Sequence, residues 1–347
     1  MRGAFLLLLF LAGTAEAQTA FDWHLPPGVA PPPVPADNPM SAAKVELGRR
    51  LFYDADLSID GTTSCATCHE PHRAFTEGNP THPGVRGSVG RRNVMGLANV
   101  GYFAPLTWAD PHQQKLEAQA LVPMMGEHPV EMGMGGQDYE LARRLRSDDC
   151  YPRMFRAAFP ERGGEISTGT VTMALAAFER TLLSHDAPYD KYRRGDASAL
   201  SPAAVRGLSQ FHRLGCDSCH AGDNFTDQKF HHLGLYSERQ AEARPARDHG
   251  LREITGTAAD EGAIRTPSLR NVALTGPYMH DGSIAKLEDT IRAHLKGNGA
   301  RDAELKRLSI SPAQQTDLLA FLDSLSDREF VTNPDLALPR TACGRSL

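Results

Sequence analysis

At 347 residues the chain can form one large domain or two of ordinary size. Its net charge of −5 argues against a nucleic-acid partner. The early apolar run, Phe5 to Ala12, is about half of the ~20 residues that cross a bilayer, and no later stretch is long and apolar enough, so no membrane span is expected.

Arg2 ahead of that run and the small-x-small sequence Ala15-Glu16-Ala17 read as a secretory signal, residues 1–17, cut before Gln18. The expected location is therefore the periplasm. Residues 18–40, rich in proline from Pro26 to Pro39, form an extended, stiffened lead-in. Ser41 is then placed to cap a helix whose apolar side is Val45, Leu47, Leu51 and Phe52.

A polar turn, Asp54 to Ser64, leads to Cys65-Ala66-Thr67-Cys68-His69, and a second copy follows at Cys216-Asp217-Ser218-Cys219-His220. C-x-x-C-H is the spacing at which two thiols join a porphyrin's vinyl groups while the next imidazole reaches its iron. Zinc would need four convergent ligands, and the two motifs lie far apart in the chain. A redox C-x-x-C has no need of a following His. Two covalently bound c-type haems are expected, attached through Cys65, Cys68, Cys216 and Cys219, with His69 and His220 as proximal ligands. Cys150 and Cys343 remain; in an oxidising compartment they either pair, or Cys343 sits in a mobile tail.

The surroundings of the two motifs repeat. Ser201 caps and Pro202 opens a helix carrying Val205, Leu208 and Phe211 before the second motif. Phe75-Thr76-Glu77 follows the first motif, and Phe225-Thr226-Asp227 follows the second. Thr168 to Ser184 reads as helical through Val171, Leu175, Phe178 and Leu182. Ser311-Pro312 opens a last helix with Leu318, Leu319, Phe321, Leu322 and Leu325. The expected fold is mainly α, with two cytochrome c-like haem domains and long loops. The N-terminal haem domain spans 41–195 and the C-terminal one 196–330, with 331–347 as a tail. His231, His232 and His249 read as solvated loop residues.

Arg265-Thr266-Pro267-Ser268-Leu269-Arg270-Asn271-Val272 and Thr275-Gly276-Pro277-Tyr278-Met279-His280-Asp281-Gly282 resemble the signature of bacterial dihaem cytochrome c peroxidases and MauG-type enzymes. The resemblance spans nearly the whole mature chain. Asp37 to Met40, Leu47 to Asp54 and Ala120 to Gly133 look most like the MbnH-type branch, which is similar to MauG but acts on a tryptophan of a copper-binding partner protein.

The resemblance implies an exported enzyme that uses hydrogen peroxide to oxidise a partner protein, at an aromatic side chain such as tryptophan, by long-range electron transfer. The alternatives are a conventional cytochrome c peroxidase fed by a small cytochrome and, in a different class, a dihaem electron carrier with no peroxide chemistry. The family's second distal ligand lies fourteen residues after the His of Tyr-x-His-Asp-Gly, which gives His294 here where relatives have Met or Tyr. Met279 is the rival. At the first haem the family's resting-state His, from the loop before an Arg-Asn pair (here Arg92-Asn93), matches a position near Val85, so that iron is expected to be open, with His82, three residues away, as the residue able to close it. Glu131 falls at the family's distal acid, Gln119 at its pocket amide and Pro123 at a pocket wall. Trp108 matches the tryptophan between the haems, and Asn93, Thr275 and Pro277 match a calcium site.

Overall fold

In the computed structural model, residues 21–236, 240, 248–296 and 308–346 are described. The expected signal, residues 1–17, lies outside the described residues, as do positions 18–20 of the lead-in. The described chain is mainly α-helical, and its strands form two short antiparallel pairs, Phe230–His231 with Ile264–Arg265 and Thr341–Ala342 with Arg345–Ser346.

Helix Ala42–Phe52 starts where Ser41 leaves the extended conformation and its Oγ accepts the Lys44 N–H. The helix buries Leu47, Leu51 and Phe52 against helix Thr168–Glu179, which supplies Val171, Leu175 and Phe178. Gly48 permits the crossing, because a Cβ there would fall 1.9 Å from the Ala174 carbonyl oxygen. The second half repeats the arrangement. Ser201 caps helix Pro202–Arg213, Ser311 caps helix Pro312–Asp323, and a Cβ on Gly207 would fall 2.0 Å from the Asp317 carbonyl oxygen. Phe178 and Phe321 are the next contacts at the two crossings. The same helix pair is thus built twice.

The repeat extends to the loops. Asn99 and Asn271 both adopt a left-handed φ of 61°, which asparagine tolerates better than most residues. The Asn99 N–H donates to the Leu182 carbonyl and the Asn271 N–H to that of Leu325. Ser184 joins the halves: its N–H donates to Asn99 Oδ1, and its Oγ accepts from Asn271 Nδ2. All three residues are fully buried. This explains why the expected helix to Ser184 stops earlier, at Glu179. Leu182 and Ser184 leave the helix to satisfy Asn99.

The ends of the chain pack on the first half. In the lead-in, Asn38 Nδ2 donates to Glu117 and to the Met173 carbonyl, and Tyr102 donates to the Ala30 carbonyl. In the stretch 331–347, read from sequence as a tail, the Pro334 and Ala337 carbonyls accept from Arg49 and that of Leu336 from Tyr53. Cys150 and Cys343 form a disulfide across a Cα separation of 5.7 Å.

Candidate haem sites and the residues between them

A four-residue helical turn, Cys65–Cys68, carries the first motif, and the Ser64 N–H donates to Thr67 Oγ1 at its start. One helical turn puts the two sulfurs on one side. His69 follows at the turn's end, with Nδ1 2.8 Å from the Phe75 carbonyl oxygen. In the second motif a 3₁₀ turn, Cys216–Ser218, precedes His220, whose Nδ1 is 3.0 Å from the Phe225 carbonyl oxygen. A carbonyl can only accept, so each Nδ1 carries the proton and Nε2 is the nitrogen left to ligate.

Burial lowers His69 and His220 to about 4 each, which keeps both imidazoles neutral, as ligation requires. It pushes the Cys68 thiol up to about 12, that of Cys216 up to about 11, and that of Cys65 further. These are poor thiolates, unsuited to redox exchange or metal binding but compatible with thioether bonds.

The second motif opens onto a cavity of about 1180 Å³ lined by Cys216, Cys219, His220, Leu269, Ile291 and His294, among others. His294 comes from helix Leu287–Lys296, and its Nδ1 bonds the Thr290 carbonyl at 2.9 Å, again leaving Nε2. The ring centroids of His220 and His294 are 6.5 Å apart. Two imidazoles sharing one metal through bonds of about 2 Å have ring centres about 6 Å apart. The residues present therefore fit a haem with an imidazole on each face. Met279 lines the same cavity, with a left-handed φ of 72°.

At the first site Glu131 is held by its own backbone. Its carbonyl accepts the Val85 N–H at 2.8 Å, and the next residue, Met132, donates to the Pro123 carbonyl at 3.0 Å. Gly84 makes this possible, because a Cβ there would strike the Val130 carbonyl. Burial raises the Glu131 carboxyl above its ordinary value, and the neighbouring His82 partly offsets this. Gln119 and Pro123 are one turn apart on two short helices, Leu116–Gln119 and Leu121–Met125, that meet at Ala120. His82 is half-buried, with Nδ1 2.8 Å from the carboxylate of Glu77. The second Glu77 oxygen is buried without a partner.

Trp108 lies between the halves. Its indole N–H donates to the Asn93 carbonyl at 2.8 Å, and its own carbonyl accepts the Arg265 N–H at 2.8 Å. Asn93, Thr275 and Pro277 line the same cavity as Trp108. Asn93 Nδ2 donates to the Asn79 and Pro80 carbonyls, which turns its amide oxygen the other way. That oxygen and backbone carbonyls are the donor type calcium takes.

Two features differ from the reading of the sequence. His231 is not a solvated loop residue. It pairs in the short sheet with Ile264, contacts Asp227 at 2.9 Å and lines the cavity, and His249 is bonded to Glu261 at 2.9 Å. Spacing alone does not reveal these acid partners. Arg265, quoted only as part of a signature, is 3% exposed and sits against the Trp108 segment. A lone Arg in sequence gives no sign of burial.

Duplicated helix crossings, paired C-x-x-C-H turns and carbonyl-held histidines define a two-haem c-type protein. The comparisons place it further. Residues 42–198 match the profile described as di-haem cytochrome c peroxidase. The chain is 35% identical to "Cytochrome-c peroxidase IdrP1" of Denitromonas iodatirespirans, over 94% of this chain and 93% of that one. It is 35% identical to "Methylamine utilization protein MauG" of Methylorubrum extorquens, over 88% and 84%. The crystal structure of a MauG-like protein associated with microbial copper homeostasis superposes with a TM-score of 0.88 at 40% identity, covering 92% of this chain and 99% of that one. The chain belongs to the di-haem cytochrome c peroxidase family and is a peroxide-dependent oxidoreductase.

Proposed function

We propose that this enzyme is exported to the periplasm and uses hydrogen peroxide to oxidise an aromatic side chain, such as a tryptophan, on a partner protein that binds copper. The copper-binding partner is suggested by the similarity to the MauG-like protein of copper homeostasis. In this reading residues 41–195 hold the peroxide-reacting haem and 196–330 the electron-transfer haem, each through its two cysteines.

The haems, when bound, supply the iron redox chemistry. His69 and His220 would each ligate one iron, and His294 would be the second protein ligand of the haem attached at Cys216 and Cys219. Glu131, kept protonated more than an ordinary carboxyl by burial, moves a proton between the two oxygens of peroxide at the first site. Gln119 and Pro123 shape that pocket. Asn93, Thr275 and Pro277 hold a calcium ion between the halves.

The observation that carries this reading is Trp108. Its indole N–H is held by the Asn93 carbonyl of its own half, while its backbone carbonyl accepts from Arg265 of the other, so an oxidisable ring is fixed where the two halves meet. That suits oxidation of a substrate too large to enter the pocket. Trp108→Phe is expected to abolish turnover of the protein substrate while peroxide still reacts at the first site. Intact substrate turnover in Trp108→Phe would overturn the reading.

A second reading has one specific support. His82 lies near both His69 and Glu131. If its imidazole closes the first site at rest, the enzyme is a conventional cytochrome c peroxidase fed by a small cytochrome and needing reduction before it reacts.

A further inference from the structure

Arg265 is 3% exposed, deep between the two halves. Its backbone is fixed by pairing with Phe230 and by the bond to Trp108. Its Nε donates to the Thr107 carbonyl at 3.1 Å, one terminal nitrogen lies 3.6 Å from Met95 Sδ, and the Phe103 ring centre is 5.7 Å from the guanidinium carbon. The other terminal nitrogen is buried with no hydrogen-bond partner. Among the described residues no carboxylate forms an ion pair with it. Leaving a charge buried without a counter-ion costs several kcal/mol in proteins generally, and burial here pushes the guanidinium down to about 10.

Arg265 lines the cavity that holds Cys216, His220 and His294. Among the described residues three acids line that cavity, and each is engaged elsewhere. Asp248 takes two bonds from Arg92, Glu261 accepts from Arg252 and His249, and Asp281 accepts from Tyr236 and the Ser283 N–H. The counter-ion must therefore arrive with the occupant of the cavity.

We infer that Arg265 is the anchor for a carboxylate of the haem seated between His220 and His294, one of its two propionates. A guanidinium offers a planar, multi-donor face suited to a carboxylate. Because the same residue bonds Thr107 and Trp108, it also ties the edge of that haem to the segment carrying the tryptophan. The inference rests on the second haem's being attached at Cys216 and Cys219.

The test is the Arg265→Gln holoprotein, with haems counted by the pyridine haemochrome assay and potentials read by spectroelectrochemical titration. Removing a positive charge beside an iron disfavours its reduced state. One midpoint should fall by about 59 mV, a tenfold loss in the reduction equilibrium, while the other stays and two haems are retained. Arg265→Lys should restore most of the shift.

Unchanged potentials in Arg265→Gln, with two haems bound, would overturn the proposal. So would a wild-type potential that follows chloride concentration, which would mark a free anion as the counter-ion. If Arg265→Gln does not take up the second haem, the propionate bending band in the resonance Raman spectrum of Arg265→Lys decides. A shift from wild type supports the contact, and an unshifted band overturns it. Only one haem in the wild type would remove the second site itself and is read from the count alone.

Discussion

The imidazoles of His220 and His294 lie with their centroids 6.5 Å apart and their planes inclined by 55°, each with Nδ1 bonded to a backbone carbonyl. Two rings fixed independently, one by a loop and one by its own helix, arrive at the spacing a shared metal needs. Helix and loop belong to distant segments, so periodicity alone does not bring the two rings together; the family resemblance is what points to His294.

That geometry predicts what His294→Met does. A thioether in place of an imidazole raises a haem's potential. One of the two midpoints should rise while the other is unmoved, and a redox titration that finds both unmoved would remove His294 from the iron.

Glu131→Gln tests the proton-transfer role at the first site. The amide keeps the shape of the side chain and loses the proton. The rate of reaction with peroxide should drop about 100-fold or more, the usual range for a general acid–base group, with haem content and the resting optical spectrum unchanged. Stopped-flow kinetics at several peroxide concentrations measure it.

Glu179 is fully buried beside Arg180 and Glu117, and burial raises its carboxyl to about 8 from an ordinary 4.5. A raised carboxyl favours the fold in its protonated form. Its contribution is therefore complete below pH 4.5 and is lost as pH rises through about 8. Glu179 should make unfolding easier by roughly 1.4 kcal/mol per pH unit across that window. Glu179→Gln should flatten this part of the pH profile in urea titrations. An identical slope in the variant would show that the carboxyl titrates normally.

The duplicated crossings make a paired prediction. Gly48→Ala and Gly207→Ala each place a methyl against a carbonyl oxygen, at Ala174 and Asp317. Each should cost about 1–3 kcal/mol, the range for overpacked cores. Thermal unfolding of both variants should fall by similar amounts, and a neutral outcome at either would mean the helices can separate cheaply.

Much of this was legible in the sequence because it rests on local chemistry. Ser41, Ser201 and Ser311 cap the helices they precede, as short hydroxyl side chains before apolar periodicity should. The two C-x-x-C-H turns and the Phe75 and Phe225 echoes declare the repeat, since the carbonyls of those phenylalanines hold the two histidines.

What stayed hidden depends on distant partners. The pairing of Cys150 with Cys343 spans 193 residues, and composition could not decide it. The return of residues 334–337 to the first half depends on carbonyls that bond Arg49 and Tyr53. Arg265 is buried by neighbours from three separate segments, and burial of a charge is a tertiary fact.

The measurement that bears most directly on the account is the low-temperature EPR spectrum of the diferric protein as purified. One high-spin and one low-spin signal are predicted, the first from an iron held by His69 alone and the second from one held by His220 and His294. Two low-spin signals would contradict the account, because the first iron would then be closed by His82 or another side chain before peroxide arrives.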